Sequence, residues 1–257
     1  MTARLLLEYD GTGFAGWARQ PGKRTVQEEV ERALAVLTGS ESVPLTVAGR
    51  TDAGVHAWGQ VASYELAAVP VRGLNAVLPD DIAVLACECV DSGFDARRDA
   101  SSRAYCYRVL ARRARSALDR GRVLHWRHRV DLSLLEGCAA ALRGTHDFTA
   151  FTPTQTAHVR FVREVLAAFW RRGSGGDVLE FWIEADSFMR HMNRVLIGTM
   201  LEVAAGRRPL QDFVALLDGR RRADAGPTAP AHGLYLAAVG YGGERVLAGS
   251  PCGLRLG

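Results

Sequence analysis

Three side chains able to do chemistry fall close together in "AGRTDAGVHA" (48–57): Arg50, Asp52 and His56. A carboxylate can attack an electrophilic carbon or withdraw a proton. A guanidinium beside it stabilises the anion, and can also reach a phosphate or stack on a base. Asp-Ala-Gly alone is ordinary turn chemistry. What points beyond a turn is Arg50, two residues earlier, on a connection longer than a simple hairpin needs. His56 is left without an assigned role.

Other candidates stand against plainer readings. Tyr105 and Tyr107 of "RAYCYRV" share one face of a strand with Arg103. Packed aromatic core explains such a pair as well as function does. Arg190 and Arg194 are four apart in a stretch that reads as one long helix, so they share a face. Two arginines near a helix start oppose its dipole, a cost that a ligand anion or a carboxylate offsets. "GTGFAG" (11–16) matches Gly-x-Gly-x-x-Gly after a strand, but Pro21 and Gly22 interrupt any helix before Thr25. A dinucleotide site needs a helix N-terminus at those glycines, so a nucleotide cofactor is not expected. His125 and His128 of "HWRH" have too few partners for a metal.

These residues must be positioned by regular elements. "ARLLLEY" (3–9), "VPLTV" (43–47), "GQVASYE" (59–65) and "DIAVLACECV" (81–90) read as strands. "TVQEEVERALAVLTG" (25–39) is an amphipathic helix with Thr25 and Glu28 at capping-box spacing and Gly39 as its stop, and "VRGLNAVLP" (71–79) is a short one. The order β-α-β-β-α-β is the ferredoxin-like pattern. After a polar connector it nearly repeats: strand 103–111, helix 131–144, a hairpin of 160–172 and 178–185 around "GSGG", helices 187–206 and 210–219, and a closing strand 233–241. The expected fold class is α+β, with two packed units, 1–100 carrying the candidate loop and 101–257, and a cleft between them.

Bulk properties narrow the function classes. The 257 residues have 48% hydrophobic and 23% charged content, with no apolar run long enough to span a membrane. "MTARLLLEYD" is not a signal peptide. Five scattered cysteines read as reduced thiols of a cytoplasmic protein. Net charge is only +4, but residues 108–129 hold Arg108, Arg112, Arg113, Arg115, Arg120, Arg122, Arg127 and Arg129 against one acid, Asp119. A polyanionic partner is the better explanation of that density.

In this order along the chain, "YDGTGFAGW", "VQEEVERAL", "AGRTDAGVHA", "FDARRDASSRAYCYR", "DFTAF" and "SFMRHMNRVLIGTMLEV" together resemble the TruA-type tRNA pseudouridine synthases over essentially the whole length. The resemblance implies the pseudouridine synthase fold, two ferredoxin-like halves packed around a central basic cleft, and a homodimer that grips one tRNA. It implies an isomerase converting uridine to pseudouridine at tRNA positions 38, 39 and 40 of the anticodon stem-loop, with no cofactor and no metal. Asp52 falls on the family's catalytic aspartate, and Arg50 on the arginine that helps displace the target base. Tyr105 falls on the tyrosine that stacks on that base, and Arg194 on the basic partner of the aspartate. Ala18 stands where the family commonly has Gln, and Asn193 where it usually has Val; neither removes one of these four groups.

Pseudouridine formation breaks an N-glycosidic bond, turns the uracil and rejoins it through carbon 5. The base must leave its stem first, at a cost of a few kcal/mol. Asp52 then attacks the sugar, attacks the uracil ring, or draws a proton from the ribose, three routes the residues leave open. A single carboxylate in the motif suits isomerisation better than the paired carboxylates of a glycoside hydrolase. The alternative is a non-catalytic RNA-binding module of ferredoxin-like fold, whose Arg/Lys-Gly-aromatic strand signature is missing from these strands.

Overall fold

The computed structural model describes residues 1–156, 158–173 and 176–247. They form two compact units, Met1–Arg103 with Tyr235–Glu244, and Ala104–Leu234 with the described residues from Arg245 onward.

The first unit begins with β1 (Thr2–Tyr9), α1 (Val26–Thr38), β2 (Thr46–Val47), β3 (His56–Tyr64), α2 (Val71–Val77) and β4 (Ile82–Val90). The strands lie in the order β4-β1-β3-β2, all antiparallel, which is the ferredoxin-like arrangement. Strand alternation puts Ala3, Leu5, Leu7 and Tyr9 of β1 into the core, none more than 4% exposed. On the opposite face Leu6 packs against Ala48, Val61 and Ala96. In α1 the buried Val26, Val30, Ala33 and Leu34 recur at helical spacing, each large one worth about 1.5–3 kcal/mol of transfer free energy. Gly39 ends that helix in the left-handed conformation, but the capping box does not form. Thr25 makes no side-chain cap bond, and its buried hydroxyl has no partner.

The chain passes into the second unit along β5 (Ala100–Leu110), followed by β6 (Leu124–His125), α3 (Leu132–Ala141), β7 (Gly144–Asp147), β8 (Val162–Arg172), β9 (Val178–Ala185), α4 (Met192–Ala204) and α5 (Leu210–Ala215). Its strands run β5-β9-β8-β7, so β5, β9 and β8 repeat the first-third-second order of the first unit. The antiparallel β8–β9 hairpin is present, while Ser174 and Gly175 of its turn lie outside the described residues. Helix α4 is buried nearly all round, from Met192 through Leu201, with Arg194 as the exception. It begins at Met192 rather than at 187, because His191 takes the left-handed conformation (φ 62°) and stops a helix from running through it. Arg190 is therefore outside the helix, and the expected Arg190–Arg194 face does not exist.

Strand β10 (Leu234–Tyr241) returns to the first unit. It pairs in parallel with the start of β3, Tyr235 opposite His56 and Leu236 opposite Ala57. That edge is open because β2 is two residues long and covers only Ala62 and Ser63 of β3. A division of the sequence at residue 100 gives this strand to the other half; pairing along β3 gives it to the first.

Candidate active site

The connection between β2 and β3 runs over residues 48–55, since β3 already starts at His56. Arg50 is exposed, Thr51 buried and Asp52 half-buried. The backbone of this loop is tied down on both sides of the carboxylate. Trp17 N–H donates to the Thr51 carbonyl (3.1 Å), Val55 N–H to the Asp52 carbonyl (3.1 Å) and Gly54 N–H to the Phe14 carbonyl (3.3 Å). The buried face adds side-chain bonds. Gln60 Nε2 donates to the Gly49 carbonyl (2.7 Å), and the Tyr9 hydroxyl lies 2.8 Å from Thr51 Oγ1. Arg50 and Asp52 thus stand on either side of an anchored residue.

The glycine-rich stretch that follows β1 lies against this loop. Gly16 has φ +99°, and a Cβ there would sit 2.8 Å from the Thr51 carbonyl oxygen and 3.2 Å from the Asp52 carbonyl carbon. The stretch is braced by Arg24, whose guanidinium lies 4.1 Å over the Phe14 ring and binds both oxygens of Asp81 at 2.7 and 2.8 Å. Gly11 and Gly16 serve close backbone approach within the unit, the Cβ position of Gly11 lying 2.0 Å from the Val55 carbonyl oxygen, while Gly13 faces the Arg24 side chain.

Arg103 reaches the other end of the loop. Its Nε and Nη2 donate to the Ala48 carbonyl at 3.1 and 2.9 Å, and Nη2 also donates to the Arg97 carbonyl. His56 acquires a structural place: it is 2% exposed, with Gly11 N–H 3.0 Å from its Nδ1. Asp10 Oδ1 stands 3.2 Å from the same nitrogen. Tyr235 stacks on both His56 and Trp58, centroids 4.7 and 4.2 Å away, so β10 clamps the strand on which the loop ends.

The second unit carries Tyr105 and Arg194. Tyr105 is 8% exposed, with its ring edge-on to Phe188 at 4.9 Å. Arg194 lies in the first turn of α4, where its Nε donates to the Ala229 carbonyl (2.7 Å) and its own carbonyl accepts from Ala229 N–H (3.0 Å). Pro227 presses on the same helix at Gly198, where a Cβ would meet its carbonyl oxygen at 1.8 Å. Tyr107, on the same strand as Tyr105, is core: its hydroxyl donates to the Pro230 carbonyl at 2.8 Å. Burial pushes its phenol well above the ordinary range, and the charge of Arg194 offsets part of that rise.

Asn193, next to Arg194, has a buried Oδ1 without a hydrogen-bond partner. A buried unsatisfied carbonyl costs about 1–3 kcal/mol. Asn193→Val is therefore expected to raise stability by about 1 kcal/mol, seen as a melting temperature a few degrees higher. An unchanged or lower melting temperature counts against this account.

The second unit also carries a run of exposed arginines. Arg112, Arg113, Arg115, Arg120, Arg122, Arg127 and Arg129 are exposed. "DFTAF" (147–151) is packing: Phe148 and Phe151 are fully buried, and Phe151 meets Phe213 at 6.0 Å. Cys87, Cys89, Cys106 and Cys138 are free thiols. Among the described residues no group of three or more His, Cys, Asp or Glu side chains could hold a metal, and no helix is long and apolar enough to cross a membrane.

Sequence reading missed the roles of Tyr9, Gln60 and Phe188. Tyr9 and Phe188 lie in stretches already singled out, "YDGTGFAGW" and "SFMRHMNRV", which was the available signal. Gln60 carried none.

Comparison with known proteins places the chain in a family. The family model described as "tRNA pseudouridine synthase" matches residues 138–242. The tRNA pseudouridine synthase A of Bacillus pumilus (strain SAFR-032) is 40% identical over 94% of this chain and 99% of its own length. Its namesakes from Myxococcus xanthus and Bacillus subtilis (strain 168) are 41% and 38% identical, covering 93% and 94% of this chain and 91% and 99% of their own. With relatives 38–41% identical that span nearly its full length, the chain belongs to the tRNA pseudouridine synthase family.

Proposed function

We propose that this protein isomerises uridine to pseudouridine in tRNA, at positions 38, 39 and 40 of the anticodon stem-loop, as a cytoplasmic homodimer without cofactor or metal. The observation that carries the chemistry is the loop 48–55, whose backbone is bonded on both sides of Asp52 while Arg50 stands exposed beside it. The exposed arginines of residues 112–129 support a phosphate-rich partner.

The reaction is internally balanced. The bond from N1 of uracil to C1′ of ribose breaks, a bond from C5 to C1′ forms, and the proton on C5 leaves while N1 gains one. Arg50 fills the space vacated by the extruded base, and Tyr105 stacks on the flipped uracil. Asp52 supplies the anion for attack on the sugar or ring, or for proton withdrawal from the ribose. Arg194 is assigned to substrate binding.

Tritium release from tRNA labelled at uracil C5 tests the reading. Wild type is expected to release label from a tRNA with uridine at 38–40 and none when all three are cytidine. Tight tRNA binding with no release from any substrate is the outcome of a non-catalytic RNA-binding module. Arg50→Ala is expected to slow turnover by about tenfold to a hundredfold with the thermal transition intact. A collapsed transition assigns Arg50 to structure instead.

A further inference from the structure

Beneath the loop lies a set of polar groups that the chemistry above does not use. Tyr9 is 4% exposed, Thr51 7% and Gln60 0%. Gln60 Oε1 accepts from Val61 N–H at 3.2 Å, which fixes the orientation of its amide. Its Nε2 donates to the Gly49 carbonyl at 2.7 Å and to the Tyr9 hydroxyl at 3.3 Å. The Tyr9 hydroxyl, accepting from Gln60, is free to donate its own hydrogen to Thr51 Oγ1 at 2.8 Å. The network therefore holds the residue before Arg50 by its carbonyl and the residue after it by its side chain. Both anchors are strand residues, Tyr9 at the end of β1 and Gln60 within β3, on strands paired to each other.

We infer that Tyr9, Thr51 and Gln60 are positioning residues for the isomerisation, setting where the loop presents Arg50 and Asp52 to the nucleotide. The inference rests on the assignment of Asp52 to the chemistry. Three features favour positioning over general stability. The bonds converge on the two residues that flank Arg50, and Thr51 directly precedes Asp52. A hydroxyl pair in a buried site is directional, so it fixes an orientation that apolar packing leaves loose. The side chains bonded here do not depend on pH: burial raises the Tyr9 phenol to about 12, so it stays protonated wherever the enzyme works.

The test compares full-length wild type, T51V, T51S, Y9F and D52N by single-turnover tritium release, tRNA binding and thermal melting. T51V keeps the shape of the side chain and loses its hydroxyl; Y9F loses the other hydroxyl. Both are expected to slow the chemical step by about tenfold to a hundredfold, with tRNA affinity within about threefold of wild type. T51S is expected to recover most of the loss. The pH–rate profile of Y9F should drop evenly and keep its shape, since the hydroxyl removed does not titrate in that range.

Rates for T51V and Y9F within about twofold of wild type, beside an inactive D52N, overturn the positioning role and leave Asp52 in place. A loss confined to tRNA affinity also overturns it, as does a changed pH profile, which makes Tyr9 an acid or base. If T51V does not fold, Y9F alone decides. An active D52N overturns the reading of Asp52 on which the inference stands.

Discussion

Asp52→Asn is expected to lower tritium release from C5-labelled tRNA by at least about a thousandfold while tRNA affinity stays within about threefold. Asparagine keeps the shape of the side chain and one carbonyl oxygen, so the half-buried position and the Val55 bond to the residue 52 carbonyl are retained. What it removes is the negative charge. Attack on the sugar, attack on the ring and proton withdrawal all need that anion, so the expected loss is the same for each route. In the proposed reaction, affinity comes instead from phosphate contacts spread over many arginines, which the substitution leaves alone. Release above about one-tenth of wild type excludes Asp52 as the acting group.

Gly16→Ala should lower the melting temperature by about 5–15 °C and slow turnover at least about tenfold where the variant is still folded. Two costs combine. Alanine at φ +99° is strained, and its Cβ would stand 2.8 Å from the Thr51 carbonyl oxygen. Each cost is about 1–3 kcal/mol. The contact can be relieved only by moving backbone, and the backbone in question leads directly into Asp52. Gly22→Ala is the control, because Gly22 has φ +69° but nothing within 4 Å of its Cβ position. It should lose stability to strain alone and keep its turnover. Equal turnover in the two variants would show that Gly16 does not hold the loop.

Local patterns were read well where each segment is decided by its own residues. β1, α1, α2 and β4 were found close to their observed limits, from alternation in "ARLLLEY" and helical spacing in "VQEEVERAL". Limits set by distant neighbours were not. β2 shrinks from 43–47 to Thr46–Val47, and β3 gains His56, Ala57 and Trp58 because β1 and β10 pair there. The two-residue β6 and the four-residue β7 are defined by pairing with β5 and β8, and their own sequence carries no strand alternation. Thr25 has the spacing of a cap, yet its hydroxyl is buried away from the helix amides it was expected to bind. The candidate site divides the same way. Arg50 and Asp52 stood out because a charged pair on a long loop is a local anomaly. Gln60 is an unremarked polar residue in a strand until register sets it beneath Gly49. His56 had no explanation until Gly11 supplied one from another segment.

The return of β10 to β3 also bears on how the chain is made. A ribosome releases residue 56 long before residue 235, so the first unit emerges with one strand of its sheet still unsynthesised. Until Tyr235 arrives, the start of β3 has an open backbone edge and two uncovered rings, His56 and Trp58. Such an edge is a site for wrong pairing, and closing it spans most of the chain, which makes the final step slow. A nascent chain halted before residue 235 should therefore carry every residue of the 48–55 loop and still be protease-sensitive at 48–58. Resistance there is expected only once β10 has left the exit tunnel and paired with β3.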